Sequence, residues 1–189
     1  MGLIQHKIPD HLNYFLCIED DIALMSRWID ISEPNYECFS VELARLLMTA
    51  SAEADVIARL VCKNIDPKSK ASGIYSYQEI LVKEFPRIVN ARVTVPRFGI
   101  ELKPWSNWEK EKTPPLWWQA NNKVKHHRSE HFNRATLKNV LNAVAGLLIL
   151  ILLYYAPKRR SFTPGPRLFE PQTFGYKDGD GLVFSIKVG

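Results

Sequence analysis

The sequence predicts a mainly α fold: a helical bundle followed by a short extended region with a C-terminal β-hairpin. Three observations predict it. Segments 10–30, 39–65 and 136–156 are either apolar at three- and four-residue spacing or apolar almost throughout. Good capping residues stand at their starts. Strand-like alternation is confined to short runs broken by proline or glycine. The chain has 189 residues, 46% hydrophobic and 24% charged. That suits one globular core rather than a disordered chain. The elements divide into a helical domain over 1–157, with a loop-rich insertion at about 64–115, and an extended C-terminal extension over 158–189.

In "DHLNYFLCIEDDIALMSRWID" (10–30), Asp10 is the expected cap. Leu12, Phe15, Leu16, Glu19, Ile22 and Ala23 step along one face, with Trp28 following. Ser40 caps the next helix, and Leu43, Leu46, Leu47, Ala50, Ala54, Ile57 and Val61 trace its apolar stripe. Lys63 suits its C-terminal end. "DPKSKASG" (66–73) is a loop, and "YSYQEILVKEF" is a short helix that ends before Pro86. "RVTVPRFGIELKPW" alternates but carries two prolines, so it reads as extended chain or an edge strand. The last segment, "TFGYKDGDGLVFSIKVG", reads as two short strands around a turn.

Residues 136–156, "TLKNVLNAVAGLLILILLYYA", are the most apolar part of the chain, capped by Thr136 and stopped by Pro157. The run sits at the lower length limit for crossing a bilayer, and basic residues flank both ends, so it carries no orientation signal. The preferred expectation is a buried central helix. The amphipathic helices need something to pack on, and moving the most apolar helix into lipid would leave their faces bare.

The three cysteines, Cys17, Cys38 and Cys62, are odd in number and far apart. This predicts buried free thiols and a reducing, cytoplasmic setting. The start "MGLIQHKIPD" has no apolar run of the kind a secretory leader needs and lacks the Ser or Thr of a myristoylation motif. Net charge is +5, a mild excess compatible with an anionic partner. Lys123, Lys125, Arg128, Arg134 and Lys138 cluster late in the chain against the single acid Glu130, and Lys158, Arg159 and Arg160 form a second group.

"WWQANNKVKHHR" (117–128) holds the candidate site. On a helix, Asn122 and His126 share a face, Lys125 and Arg128 share another, and His127 pairs with His131. Histidine suits proton transfer at neutral pH, and lysine or arginine suits a phosphate. His126 with Asn122 as its orienter and Arg128 as clamp are therefore the candidate catalytic set. Lys123, Lys125 and His127 are the candidate nucleic-acid contacts. The plainer reading is a solvated basic helix end, with Trp117 and Trp118 anchoring it in the core or stacking on bases. Glu53 and Asp55 lie about 200° apart around their helix, so one should point inward. A buried carboxylate needs a cationic partner, and the basic segment is the expected supplier for Glu53. No metal site is predicted, because no acid or cysteine stands at ligand spacing beside His126, His127 and His131. No phosphate-binding glycine loop appears, so no cofactor is predicted. "DGDG" (178–181) lacks the remaining ligands of a calcium loop.

Two segments together resemble a known family. "VELARLLMTASAEADVIARLVC" (41–62) and "WWQANNKVKHHRSEHFNRATLKNVLNAVAGLLIL" (117–150), with "PWSNW" (104–108) upstream, are similar to HEPN domains (higher eukaryote and prokaryote nucleotide-binding) of bacteria. The resemblance implies a helical bundle, often dimeric, in toxin–antitoxin or anti-phage systems, whose active members are metal-independent endoribonucleases. Their signature is an Arg with a His four to six residues beyond it. His126 matches the His, but the Arg position falls on Asn121 or its neighbours, and no Arg stands there. The resemblance thus extends further for the fold than for the activity.

These readings give one leading expectation and two alternatives. The first is an RNA- or nucleotide-associated protein, possible RNA cleavage included, acting as a homodimer or with a partner protein. The second is a non-enzymatic interaction or dimerisation module. The third is a membrane protein using residues 138–156, less favoured for the packing reason above.

Overall fold

The computed structural model describes residues 7–186. The first six residues, read above for a leader or lipid motif, and the last three lie outside them. The described chain is mainly α, with six helices and two small antiparallel sheets. The helices are α1 (Asp10–Met25), α2 (Val41–Ile65), α3 (Ile74–Glu84), α4 (Leu116–His126), α5 (Arg128–His131) and α6 (Leu137–Tyr155).

α2 and α6 form the central pair. Ser40 Oγ accepts the Leu43 N–H at 3.1 Å, and Thr136 Oγ accepts the Asn139 N–H at 3.3 Å, so both predicted caps are made. The two helices begin side by side: the Leu137 and Lys138 N–H groups donate to the Cys38 and Tyr36 carbonyls at 3.0 and 3.1 Å. They also end side by side, where Asn64 Nδ2 donates to the Tyr154 carbonyl at 3.1 Å. α2 and α6 therefore run parallel. α1 runs against both, since His11 meets Glu53 and Asp21 meets Arg45.

In α6, 14 of 19 residues are buried. Packing by α1, α2 and α4 explains why its sequence is apolar nearly all round. Among the described residues it is the one helix long and apolar enough to cross a membrane, and here it occupies the place of a core helix. Asn142, its polar interruption, sits half-buried and donates Nδ2 to the Lys138 carbonyl at 2.9 Å. Gly146 is required by close approach: a Cβ there would lie 3.1 Å from Trp117 Cζ2 and 3.4 Å from Trp105 Cζ2.

Two expectations for α1 need correction. The helix stops at Met25, and Trp28 lies beyond it, 73% exposed rather than in the core. Asp10 is the first helical residue and pairs with Lys7 Nζ at 3.0 Å, while Pro9 takes the cap position with its fixed φ.

The strands are β1 (Val93–Val95), β2 (Ile100–Leu102), β3 (Ser161–Phe162), β4 (Glu170–Pro171), β5 (Gly175–Asp178) and β6 (Gly181–Phe184). One sheet has the order β2-β1-β4 and the other β3-β6-β5. The prolines suggested an edge strand, yet β1 is the middle strand of its sheet. Pro96 falls in the turn after β1 and Pro104 after β2, so neither removes a ladder donor. β5 and β6 form the expected hairpin around Gly179, whose φ of +55° suits glycine.

The stretch after residue 157, expected as an extension, packs into the fold. β4 completes the first sheet. The buried Glu19 carboxylate accepts the N–H groups of Arg167, Leu168 and Phe169 at 2.9, 2.7 and 2.9 Å. Arg167 also pairs with Asp20, and the Phe169 ring meets Phe15 edge-on.

The cysteines are free thiols, but only Cys62 is fully buried, and Cys17 is exposed. Burial pushes the Cys62 thiol up to about 11. A thiol-exchange reagent at about pH 8 is expected to label Cys17 readily and Cys62 only after denaturant is added, because the thiolate is the reactive form. Mass spectrometry of the labelled peptides checks this. Equal labelling of both in the folded chain would contradict it.

Candidate nucleic-acid interface

α4 carries the segment singled out in the sequence. Trp117, Trp118, Ala120 and Val124 are its buried face. Trp117 Nε1 donates to the Pro104 carbonyl at 2.9 Å, and its ring sits edge-on to Trp105 and Trp118, with centroids 5.2 and 5.6 Å away. Both tryptophans are therefore core anchors rather than free stacking platforms. With that face fixed, Asn122, Lys123, Lys125 and His126 have to point outward, and all four are exposed.

The helix breaks at His127, whose φ of −138° and ψ of 51° leave the helical region. Arg128 begins α5, so Lys125 and Arg128 do not share the single helix face expected of them. Arg128 instead turns toward α2, with Nη2 3.5 Å from Met48 Sδ. The His127 and His131 rings lie edge-on with centroids 6.3 Å apart, so this pair is brought together. Asn122 and His126 lie four apart on α4, but no hydrogen bond joins them among the described residues. The expected set of His126, Asn122 and Arg128 is thus spread over two helices without a bond between its members.

A concave surface of about 310 Å³ lies beside this segment, between α4, the start of α6 and the chain before α4. Of the candidate residues only Lys123 lines it. Lys103, Arg134 and Lys138 join Lys123, with Asn107, Asn139 and Asn142 as neutral donors and Glu37 as the one acid. Among the described residues no carboxylate lies within salt-bridge distance of Lys123, Lys125, Arg128, Arg134 or Lys138, whereas Lys103 Nζ stands 3.8 Å from Glu101. Unpaired lysines are ordinary on a surface. Their gathering around one hollow gives it a positive field.

The first N–H groups of α6 add nothing directly to that field. Those of Leu137 and Lys138 are taken by backbone carbonyls and that of Asn139 by Thr136, so an anion here would be held by side chains. Arg134 and Lys138 were visible in the sequence as part of the basic cluster. Lys103 was not, because it lies 20 residues before Lys123 in a different element.

Glu53 requires a correction. Its carboxylate does not meet the basic segment of α4. It lies 2.6 Å from His11 Nδ1 on α1, with both side chains largely buried. The inward carboxylate takes an imidazole as its hydrogen-bond partner, from a different element than expected. Asp55 points elsewhere, to Arg59 one turn along and to the Tyr77 hydroxyl at 3.0 Å. Nothing in the spacing marked His11, which is 42 residues from Glu53.

Comparison of the chain with protein-family models, with curated proteins and with solved structures found no match.

Proposed function

We propose that this chain is an RNA-associated protein of HEPN-like type, of a bacterial defence or toxin-type system, that holds the phosphate backbone of a single strand on the basic surface where α4 meets the start of α6. The observation that supports this most is the hollow with Lys103, Lys123, Arg134 and Lys138 around it and neutral amide side chains between them. Cations gathered around one hollow suit phosphates, and asparagine and glutamine side chains suit sugar and base edges. The resemblance of segments 41–62 and 117–150 supports the same reading. The surface carries four basic side chains against one acid, and phosphate contact of this kind is sequence-independent and strongly weakened by salt.

Titration of a fluorescent oligoribonucleotide against the full chain at several salt concentrations tests it. Reversing Lys123, Arg134 and Lys138 together to Glu is expected to flatten the slope of log K against log salt by about 2, at ~0.7 per lost single-strand contact. These side chains lie on the surface, so the thermal midpoint should stay close to wild type. An unchanged slope in the triple variant, or no affinity in the wild type at low salt, would overturn the proposal.

The second reading is an interaction module. It rests on Phe39 and Val41, which are 50% and 78% exposed where α2 begins. A stable dimer with no RNA affinity in the same titration would favour it.

A further inference from the structure

A separate cavity of about 820 Å³ lies between α3 and the loop that precedes α4. Its volume is within the range of small-ligand sites, roughly 300–1,000 Å³. Tyr75 and Val82 of α3 and Trp108 of the loop give it apolar surface. The Trp108 ring is 2% exposed and packs on Trp105 with centroids 4.3 Å apart, so this part of the lining is fixed.

Gln78 ties the loop to α3. Its Nε2 donates to the Trp108 and Lys110 carbonyls at 3.3 and 2.8 Å, and the residue is 6% exposed. Both bonds use the amide nitrogen, and Oε1 accepts none among the described residues. Oε1 is nevertheless not one of the unpartnered polar atoms sealed from solvent. The cavity is the hollow that Gln78 lines, so this oxygen is an acceptor open to it. Trp108 Nε1 is a buried donor, also without a partner among the described residues. Two residues of one lining thus leave an acceptor and a donor unmet.

The charged side chains of the lining are Glu79, Glu109 and Glu111 against Lys83 and Lys112. All five are exposed, and among the described residues none lies within salt-bridge distance of an opposite charge. A simple cation would serve the carboxylates and Oε1 and leave the lysines and the indole N–H unused. A simple anion would do the reverse. A zwitterion serves both sets: an ammonium donates to Oε1 and the carboxylates, and a carboxylate accepts from lysine and indole N–H groups. An apolar side chain between them would cover Tyr75, Val82 and Trp108. We propose that this cavity binds a free amino acid or short peptide with apolar side chains, held as its zwitterion. The proposal does not rest on the RNA-binding reading.

The competing account is five solvated surface charges around an unused hollow, and matched probes separate the two. The full chain is titrated calorimetrically with L-leucine, with leucyl-leucine, with the des-amino analogue of that dipeptide and with its C-terminal amide. Leucyl-leucine is expected to bind with a Kd of about 1 mM or tighter. Each analogue lacks one charge and should bind at least about tenfold more weakly. Glu79→Gln, Glu109→Gln and Glu111→Gln together should abolish the preference over the des-amino analogue and keep that over the amide. Lys83→Gln with Lys112→Gln should do the opposite. These side chains are exposed, so both variants should keep the wild-type thermal midpoint. Asp178→Asn with Asp180→Asn, which removes acids at the β5–β6 turn instead, should change neither preference. Leucine binding as tightly as the dipeptide would make the ligand an amino acid; tighter dipeptide binding would make it a peptide. No binding of leucine or leucyl-leucine overturns the proposal. So does a wild type that fails to prefer leucyl-leucine over either analogue, or preferences that survive in the charge variants.

Discussion

Trp117→Ala is expected to cost about 4 kcal/mol or more of folding stability, the largest loss at any single position of α4. The indole is 1% exposed and lies among Trp105, Trp118 and Gly146. Truncation removes its apolar surface and leaves a cavity that neighbouring rings cannot readily fill. It also leaves the Pro104 carbonyl without its donor, an added cost of about 1 kcal/mol or more for a buried group. A domain with about 5–15 kcal/mol in total has little left after such a loss. Urea denaturation followed by tryptophan fluorescence measures it. Trp117→Phe retains a ring against Gly146 and loses the hydrogen bond, so it should fall between wild type and alanine. A loss under 1 kcal/mol for Trp117→Ala would mean that the indole cluster is not what seats α4.

The second large effect is at Glu19. Removing its carboxylate orphans three backbone N–H groups in one change. Each unmet buried donor costs about 1–3 kcal/mol. Partial access of water to Arg167 lowers the sum, so Glu19→Ala should cost about 3–5 kcal/mol. Because those donors hold residues 167–169 against α1, proteolytic nicking between Pro157 and Glu170 should accelerate along with the fall in stability. Wild-type resistance to protease together with wild-type stability would contradict this account. Burial raises the Glu19 carboxyl above the usual carboxylate range, against the opposing pull of the three N–H groups. The folded chain therefore takes up this proton at a higher pH than the unfolded chain does. Its contribution to stability is largest below the usual carboxylate value and declines as pH rises through the raised one. Glu19→Gln, which cannot titrate, should lack that decline in a stability profile across mildly acidic pH.

The two residues show why parts of this protein were legible in advance and others were not. Glu19 stood on the apolar stripe of α1, so its burial was written in the spacing. Its partners, at 167–169, are about 150 residues away and belong to a stretch that looked like a loose extension. Trp117 read as a core anchor because large aromatic side chains usually bury, and the structure places it on one helical face with the buried Ala120 and Val124. Lys103 gave no such signal, and its place beside Lys123 depends on how the segment before α4 folds back. Glu53 was read as pointing inward to a partner, but that the partner is His11 on α1 rather than the basic segment of α4 was beyond any periodicity. The break at His127 was also invisible. It lies inside a run of ordinary helix formers, and what changes there is the path needed to bring Arg128 to α2.

The positions, caps and buried faces of α2 and α6 were determined by the sequence alone, because each depends on residues three or four apart that share one local geometry. Ser40, Thr136 and the stripes of α2 and α6 are of this kind. Only the tertiary structure decided which charged groups meet. Glu53 with His11 and Glu19 with the backbone of 167–169 are pairings between distant segments. They form because burying the apolar faces brings those segments together, and a carboxylate or imidazole then takes whichever partner the packing presents.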